Sequence, residues 1–226
     1  MSARAVFVTG TDTGIGKTRA STMLLRAHRD LGRRAIGMKP VASGCRATVD
    51  GLRNEDAEVL IAASDPRPPY ALCNPFALPL AIAPHLAARE AGIEIALAPI
   101  EKAYRQLGAM ADRVVVEGVG GWSVPLSDSI MQADLVRALG LPVVLVVGLR
   151  LGCLNHALLT ARAIVLDGCA LAGWIANRID PDMVHAEANL DTLRTRIAAP
   201  LLGVIAHADE PGEDRGEALA PAVQQL

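Results

Sequence analysis

The stretch Gly10-Thr11-Asp12-Thr13-Gly14-Ile15-Gly16-Lys17-Thr18 carries the residues best suited to hold a phosphate chain. Glycines let successive backbone N–H groups converge on phosphate oxygens, and a helix beginning at the loop's end adds favourable partial charge. In such a loop a lysine reaches the β- and γ-phosphates, and a neighbouring hydroxyl can ligate Mg²⁺. Lys17 and Thr18 are spaced for those two tasks. The pattern departs from the common G-x4-G-K-[ST] form, because Gly10 lies six residues before Gly16 and Thr11 stands at the usual first-glycine position. A glycine-rich turn with no ligand is the plainer alternative, but Gly-Lys-Thr at a strand-to-helix junction favours nucleotide binding.

Two acids belong in the same argument. Glu117 directly follows Val114-Val115-Val116. Ligands in open α/β sheets bind outside the carboxyl ends of strands, where a carboxylate can hold Mg²⁺. Asp56 opens a helix, where it is either a cap or a second acid for the same ion. A hard cation takes carboxylate, hydroxyl and phosphate oxygens, so Thr18, Asp56 and Glu117 would form a set if they converge. Gly118, Gly120 and Gly121 would let backbone approach the phosphates. Lys39 ends a buried strand and needs an anionic partner, either a ligand or a structural acid. Asn177 ends another strand; its amide matches the edge of adenine, or simply makes a turn.

Short apolar runs alternate with helical patterns, which predicts a mostly parallel sheet wrapped by helices on both faces, an α/β architecture. Six strands are expected: Ala5–Val8, Ala35–Met38, Val114–Val116, Val143–Val147, Leu171–Ala176 and Leu201–Ile205. The unbroken run Val143–Val147 suits a central parallel strand covered on both faces. Helices are expected over Lys17–Leu31, Asp56–Ala63, Ile95–Met110, Ala133–Leu139, Asn155–Leu166 and Val184–Ile197, and Pro40–Arg53 reads as loop. No linker interrupts the pattern, so residues 1–226 are expected to form one domain, with the Pro-, Gly- and charge-rich tail after Asp209 loosely packed.

The chain has 226 residues, 51% apolar and 20% charged, with a formal net charge of −2. That balance argues against a polyanion binder and against intrinsic disorder. With aromatics at 3%, the core must be built from Ala, Leu, Ile and Val. Cys45, Cys73, Cys153 and Cys169 show no CxxC spacing, so free thiols in a reducing cytoplasm are expected. The most apolar stretch, Leu139–Ala161, is broken by Pro142, Gly148, Arg150, Gly152 and His156, and fails as a membrane span. Met1–Arg4 runs straight into a strand, which leaves no signal-peptide pattern there.

Beyond the phosphate loop, several blocks resemble the dethiobiotin synthetase family: Met38-Lys39-Pro40-Val41-Ala42-Ser43-Gly44, Gly51-Leu52-Arg53-Asn54 before Asp56, Val116-Glu117-Gly118-Val119-Gly120-Gly121-Trp122, Pro125-Leu126-Ser127-Asp128 and Leu151-Gly152-Cys153-Leu154-Asn155-His156-Ala157. The similarity runs from about Val6 to Ile205, on a P-loop NTPase-like fold. It implies a cytoplasmic biotin-pathway ligase that uses 7,8-diaminopelargonate, CO2 and ATP with Mg²⁺. A carbamate forms, is phosphorylated, and closes to a ureido ring. By resemblance, Lys39 and Lys17 would be the catalytic cations, and Thr18, Asp56 and Glu117 would hold Mg²⁺. Thr13, Gly14, Ile15, Gly16, Lys17, Thr18 and Arg19 would wrap the phosphates, with Asp56, Glu117, Gly118, Val119, Gly120 and Asn177 completing the nucleotide site. Ser43 would contact the substrate. The family is homodimeric, so Gly152, Cys153 and Asn155 would bind the substrate's carboxylate in the partner's site.

Departures are visible. Gly14 stands where some members carry Glu, Arg178 where some carry Asp, and Ala206-His207 replaces a Pro-aromatic pair. Leu80-Ala81-Ile82-Ala83 precedes Pro84-His85 with apolar residues in place of Thr and Ser. Two rivals share the phosphate loop. A partition- or septum-placement ATPase switch usually has a lysine where Thr11 stands, and needs a DNA or membrane surface. A cobyrinate-type amidation enzyme needs a glutaminase domain, for which the chain is short.

Overall fold

The computed structural model describes residues 4–207, 219 and 221–226. In chain order the elements are β1 (Arg4–Gly10), α1 (Lys17–Asp30), β2 (Ala35–Met38), β3 (Val41–Ala42), β4 (Arg46–Thr48), β5 (Gly51–Arg53), α2 (Glu55–Ala63), α3 (Tyr70–Cys73), β6 (Phe76–Ala77), α4 (Pro84–Glu90), α5 (Leu97–Met110), β7 (Arg113–Glu117), α6 (Gln132–Leu139), β8 (Val143–Leu149), α7 (Cys153–Leu166), β9 (Leu171–Arg178), α8 (Ala186–Arg196), β10 (Leu201–Ile205) and α9 (Ala222–Gln225).

The six expected strands form one sheet in the order β10-β9-β8-β1-β7-β2, every pair parallel. Side chains alternate across each strand. Val6 and Val8 of β1, with Val144 and Val146 of β8, pack beneath α1 and α2; Phe7, Val143, Leu145 and Val147 face the opposite layer, with Ile100 and Leu107 of α5 and Ala157 of α7. All seven residues of β8 are buried, as befits a strand covered on both faces.

The chain leaves β1 for β2 and returns to insert β7 between them, while β8 joins on the other side. Where connections diverge to opposite sides, the carboxyl ends of the strands open a crevice. The phosphate loop leaves β1 at that crevice.

Most differences from the sequence reading fall between residues 40 and 96. The expected loop Pro40–Arg53 holds β3, which pairs with β6, and the hairpin β4–β5. Helices α3 and α4 were not anticipated. Elements of two to seven residues are too short to present a periodic apolar pattern, so hydrophobic spacing cannot reveal them. Leu31, read as the last core position of the first helix, lies past its end and is 44% exposed. The tail after residue 209 falls largely outside the described residues. Within them, Leu219 and Val223 are buried in the α1 layer, and Arg33 Nη1 donates to the Val223 carbonyl at 2.9 Å.

Candidate active site

The phosphate loop spans the gap between β1 and α1. Ile15 is its buried anchor, while Thr13 and Gly14 face the cavity. Gly16 has φ +87, a left-handed conformation that L side chains rarely adopt, and a Cβ there would lie 2.1 Å from Asn177 Nδ2. Asn177, buried at the end of β9, donates to the Ile15 carbonyl at 2.9 Å. Arg19 Nη1 donates to the Ala206 carbonyl at 2.7 Å and lies 3.5 Å from Asn177 Oδ1. These contacts tie the loop to β9 and to the end of β10.

The two lysines meet at the loop's inner side. Lys17 Nζ donates to the Asp12 carbonyl at 3.0 Å. Burial, reinforced by the charge of Lys39, pulls its pKa down to about 8. Lys39 follows β2 and is buried. Its Nζ donates to Glu117 Oε1 at 2.7 Å, to Asp56 Oδ2 at 2.9 Å and to the Gly118 carbonyl at 3.1 Å. Burial disfavours that charge, but Glu117 and Asp56 outweigh it and hold the lysine above its ordinary pKa. Burial also pushes the Asp56 carboxyl up, yet the Lys39 ammonium leaves it below its usual value. Both groups are therefore charged at neutral pH.

Glu117 is wholly buried. Its Oε1 accepts from Thr18 Oγ1 at 2.9 Å as well as from Lys39, while Oε2 has no hydrogen-bond partner in the structure. Asp56 and Glu117, far apart in sequence, share one ammonium group, and Thr18 bonds to the same Glu117 oxygen.

These groups border a cavity of about 740 Å³. Thr13, Gly14, Gly16, Lys17, Thr18, Lys39, Asp56, Glu117, Val119 and Gly120 are among its lining residues, and Ala42, Ile82, Ala83, Pro84 and Val124 add apolar surface to the same lining. Ser43 lines it too, and its buried Oγ has no partner. Gly118 contributes through its carbonyl. A Cβ on Gly118 would meet Gln132 Oε1 at 2.6 Å, and that same oxygen accepts the Val119 N–H at 2.8 Å, which sets the glycine turn.

The remaining expected residues lie elsewhere. Ile15, Arg19 and Asn177 are behind the phosphate loop and do not line the cavity. Gly152, Cys153 and Asn155 begin α7. Cys153 is buried, whereas Gly152 and Asn155 are exposed, and none of the three borders this cavity.

Sequence reasoning missed several supporting groups. Arg150 Nη2 meets Asp12 Oδ2 at 2.6 Å, and Asp12 Oδ1 accepts the Thr13 N–H at 2.7 Å. The Thr13 amide, then Arg150, hold the Asp12 carboxyl below its ordinary range. Gln132, Tyr70 and Asn74 were also passed over. Their only trace in the sequence is that Tyr70 and Asn74 stand four residues apart.

A family model described as an AAA domain matches residues 4–213. Among curated relatives, the ATP-dependent dethiobiotin synthetase BioD of Xanthomonas euvesicatoria pv. vesicatoria is 61% identical over 210 residues, 93% of either chain. The protein of the same name from Xylella fastidiosa is 60% identical over 207 residues, 92% of either chain. Among solved structures, the MinC:MinD cell division complex of Aquifex aeolicus superimposes with a TM-score of 0.60 at 14% identity, covering 99% of this chain and 95% of that one. A ParA family ATPase from Chlorobium tepidum gives 0.60 at 11% identity, with full coverage of both chains. Those two likenesses speak for the fold alone. Identity of about three residues in five along nearly the whole length is a different matter, and on it the chain belongs to the dethiobiotin synthetase family.

Proposed function

We propose that the protein is an ATP-dependent dethiobiotin synthase. It is a ligase that closes the ureido ring of dethiobiotin from 7,8-diaminopelargonate, CO2 and ATP, releasing ADP and phosphate. One amine of the diamine adds to CO2 and loses a proton to give a carbamate. A carbamate oxygen attacks the γ-phosphorus as the bond to ADP breaks. The second amine then attacks the carbamoyl carbon, phosphate leaves, and the ring closes with loss of a proton.

The observation that carries this reading is that Lys17, Lys39, Thr18, Asp56 and Glu117 line one cavity, the last four linked by hydrogen bonds, together with a set of apolar side chains. Phosphoryl transfer depends on positioning and on neutralising charge spread over the phosphoryl oxygens. Loop amides from Thr13 to Thr18, with Lys17, address the triphosphate. Lys39 would neutralise charge on the carbamate and γ-phosphate oxygens. The wall of Ala42, Ile82, Ala83, Pro84 and Val124 suits an aliphatic chain, and the unpartnered Ser43 hydroxyl suits a polar group on it. Ring closure is intramolecular, so holding the diamine in one pose supplies much of the remaining rate.

Mg²⁺ fits the same residues. A buried carboxylate oxygen with no partner, Glu117 Oε2, beside a second acid and a threonine hydroxyl, is a donor set for a hard cation. Thr18, Asp56 and Glu117 would hold it. Once bound with ATP it would neutralise phosphate charge.

We assign Asn177 to the nucleotide's base end on the family resemblance, with Arg19 beside it. The same resemblance gives Gly152, Cys153 and Asn155 to the partner subunit's substrate site in a homodimer. Leu159 and Leu166, two turns apart on one face of α7 and 56% and 85% exposed, with Val165 at 61% and Leu151 just before the helix at 95%, are apolar side chains that a second copy would cover. The reading takes the whole chain, 1–226, as one domain and the cytoplasm as its compartment. In support, all four cysteines are free and, among the described residues, no helix is long and apolar enough to cross a membrane.

The test is phosphate release by purified protein given MgATP, bicarbonate and 7,8-diaminopelargonate. Release that requires the diamine, with dethiobiotin as product, is expected. ATP hydrolysis indifferent to the diamine would return the protein to the ATPase-switch class.

A further inference from the structure

We propose that Tyr70 and Asn74 are positioning residues that set both Lys39 and Asp56 at the reacting phosphate. The inference rests on Lys39 being the working cation of the proposed reaction.

Lys39 is held at its backbone as well as at its ammonium. Its N–H donates to the Cys73 carbonyl at 2.8 Å, and its carbonyl accepts from Asn74 Nδ2 at 2.7 Å. The segment around α3 supplies both of these bonds. Asn74 is buried, and its amide group also reaches the Phe76 carbonyl at 3.3 Å. Two carbonyl acceptors on that side require the NH2 to face them. The Asn74 oxygen is left for one donor, the Tyr70 hydroxyl, at 2.9 Å.

The same hydroxyl has a second bond. Tyr70 Oη accepts the Asn54 N–H at 2.7 Å. Asn54 is the N-cap of α2: its Oδ1 accepts the Ala57 N–H at 3.3 Å, and its carbonyl takes the Glu58 N–H at 3.1 Å. Asp56 is the second residue of that helix. The bonds therefore close a ring, from the Lys39 carbonyl through Asn74, Tyr70, Asn54 and α2 to Asp56, and back to Lys39 Nζ. Arg53 lies 4.2 Å above the Tyr70 ring and holds it in place. Burial raises the Tyr70 pKa, so the phenol keeps the proton it donates.

Tyr70 is thus the one hydroxyl at which the two supports meet. Removing it leaves an amide N–H and a carboxamide oxygen without partners, and frees Lys39 and α2 to shift relative to each other. A displacement of a few tenths of an ångström matters little for folding. It matters for an ammonium that must neutralise charge at a fixed point.

Tyr70→Phe keeps the ring and deletes only the hydroxyl. With far-UV circular dichroism unchanged, kcat is expected to fall about tenfold or more, while the KM for ATP stays within about twofold, because the phosphate loop lies outside the ring of bonds. Asn74→Asp keeps the acceptor for Tyr70 but turns a carboxylate oxygen on the Lys39 and Phe76 carbonyls; the same split is expected, and this variant decides the matter if Tyr70→Phe does not fold. In a Lys39→Ala background, Tyr70→Phe is expected to have no further effect on residual turnover. Wild-type kcat in Tyr70→Phe, beside an inactive Lys39→Ala, would overturn the inference and spare the proposed role of Lys39. Equal multiplication of the two defects would overturn it as well. Full turnover by Lys39→Ala would remove the underlying reading instead.

Discussion

Replacing Lys39 by methionine tests whether the centre of the site is arranged at the expense of stability. Methionine keeps the length of the side chain and removes its charge. Glu117 is then left fully buried, with the Thr18 hydroxyl as its remaining side-chain partner. Asp56 loses the same ammonium, but its side chain is 43% exposed and water compensates it. The loss is thus dominated by Glu117. Breaking one side of a buried pair costs about 3–5 kcal/mol, because the other charge stays behind without compensation. At about 2–4 °C per kcal/mol for a chain of this size, the melting temperature should fall by roughly 6–20 °C. Adding Glu117→Gln to Lys39→Met should recover most of that loss, since removing both charges of a buried pair is often close to neutral. The sign of the pH dependence follows from the two shifts. Asp56, held below its ordinary pKa, contributes stability that is lost as pH falls; Lys39, held above, contributes stability that is lost only as pH rises past its range. The penalty should therefore be flat across neutral pH. Urea and thermal unfolding of the four proteins, followed by circular dichroism without nucleotide or divalent ions, measures the cycle. A Lys39→Met protein that melts within a degree or two of its parent would refute the reasoning.

Three further outcomes are expected. His28 is buried, and burial, followed by Arg113 and Arg33, pulls its pKa from 6.5 to about 4. The unfolded chain binds the proton first, so stability is full above about pH 6.5 and falls by about 3 kcal/mol on the way to pH 4; urea midpoints at pH 7 and 4.5 should show this, and His28→Gln should flatten it. Gly16→Ala should abolish ATP binding in calorimetry, because φ +87 and a Cβ 2.1 Å from Asn177 Nδ2 force the loop to rearrange; unchanged affinity would contradict the loop's assigned role. For the proposed homodimer, Leu159→Glu with Leu166→Glu places two charges on the exposed leucines of α7 and should give a monomer in sedimentation, whereas a dimer that persists would move the interface elsewhere.

Much of the architecture was legible because it obeys local rules. Strands such as Val143–Val147 and the helix from Lys17 present runs and spacings that report the environment of each residue directly. The phosphate loop was legible for the same reason: Gly16 and Lys17 are needed where a strand turns into a helix, and both facts lie within ten residues. The short pieces between residues 40 and 96 were not legible. β3 and β6 span two residues each and are defined by each other, not by their own composition.

Composition, periodicity and one contiguous motif by themselves determined the sheet, the nucleotide loop and the candidate acids Asp56 and Glu117. Only the folded chain decided that those acids share a single ammonium, that Glu117 keeps one oxygen unpartnered, and that Tyr70 joins the supports of Lys39 and Asp56. The reason is geometric. Glu117 stands 78 residues from Lys39 and 99 from Thr18, and no local preference encodes which distant side chains a sheet's strand order brings within 3 Å.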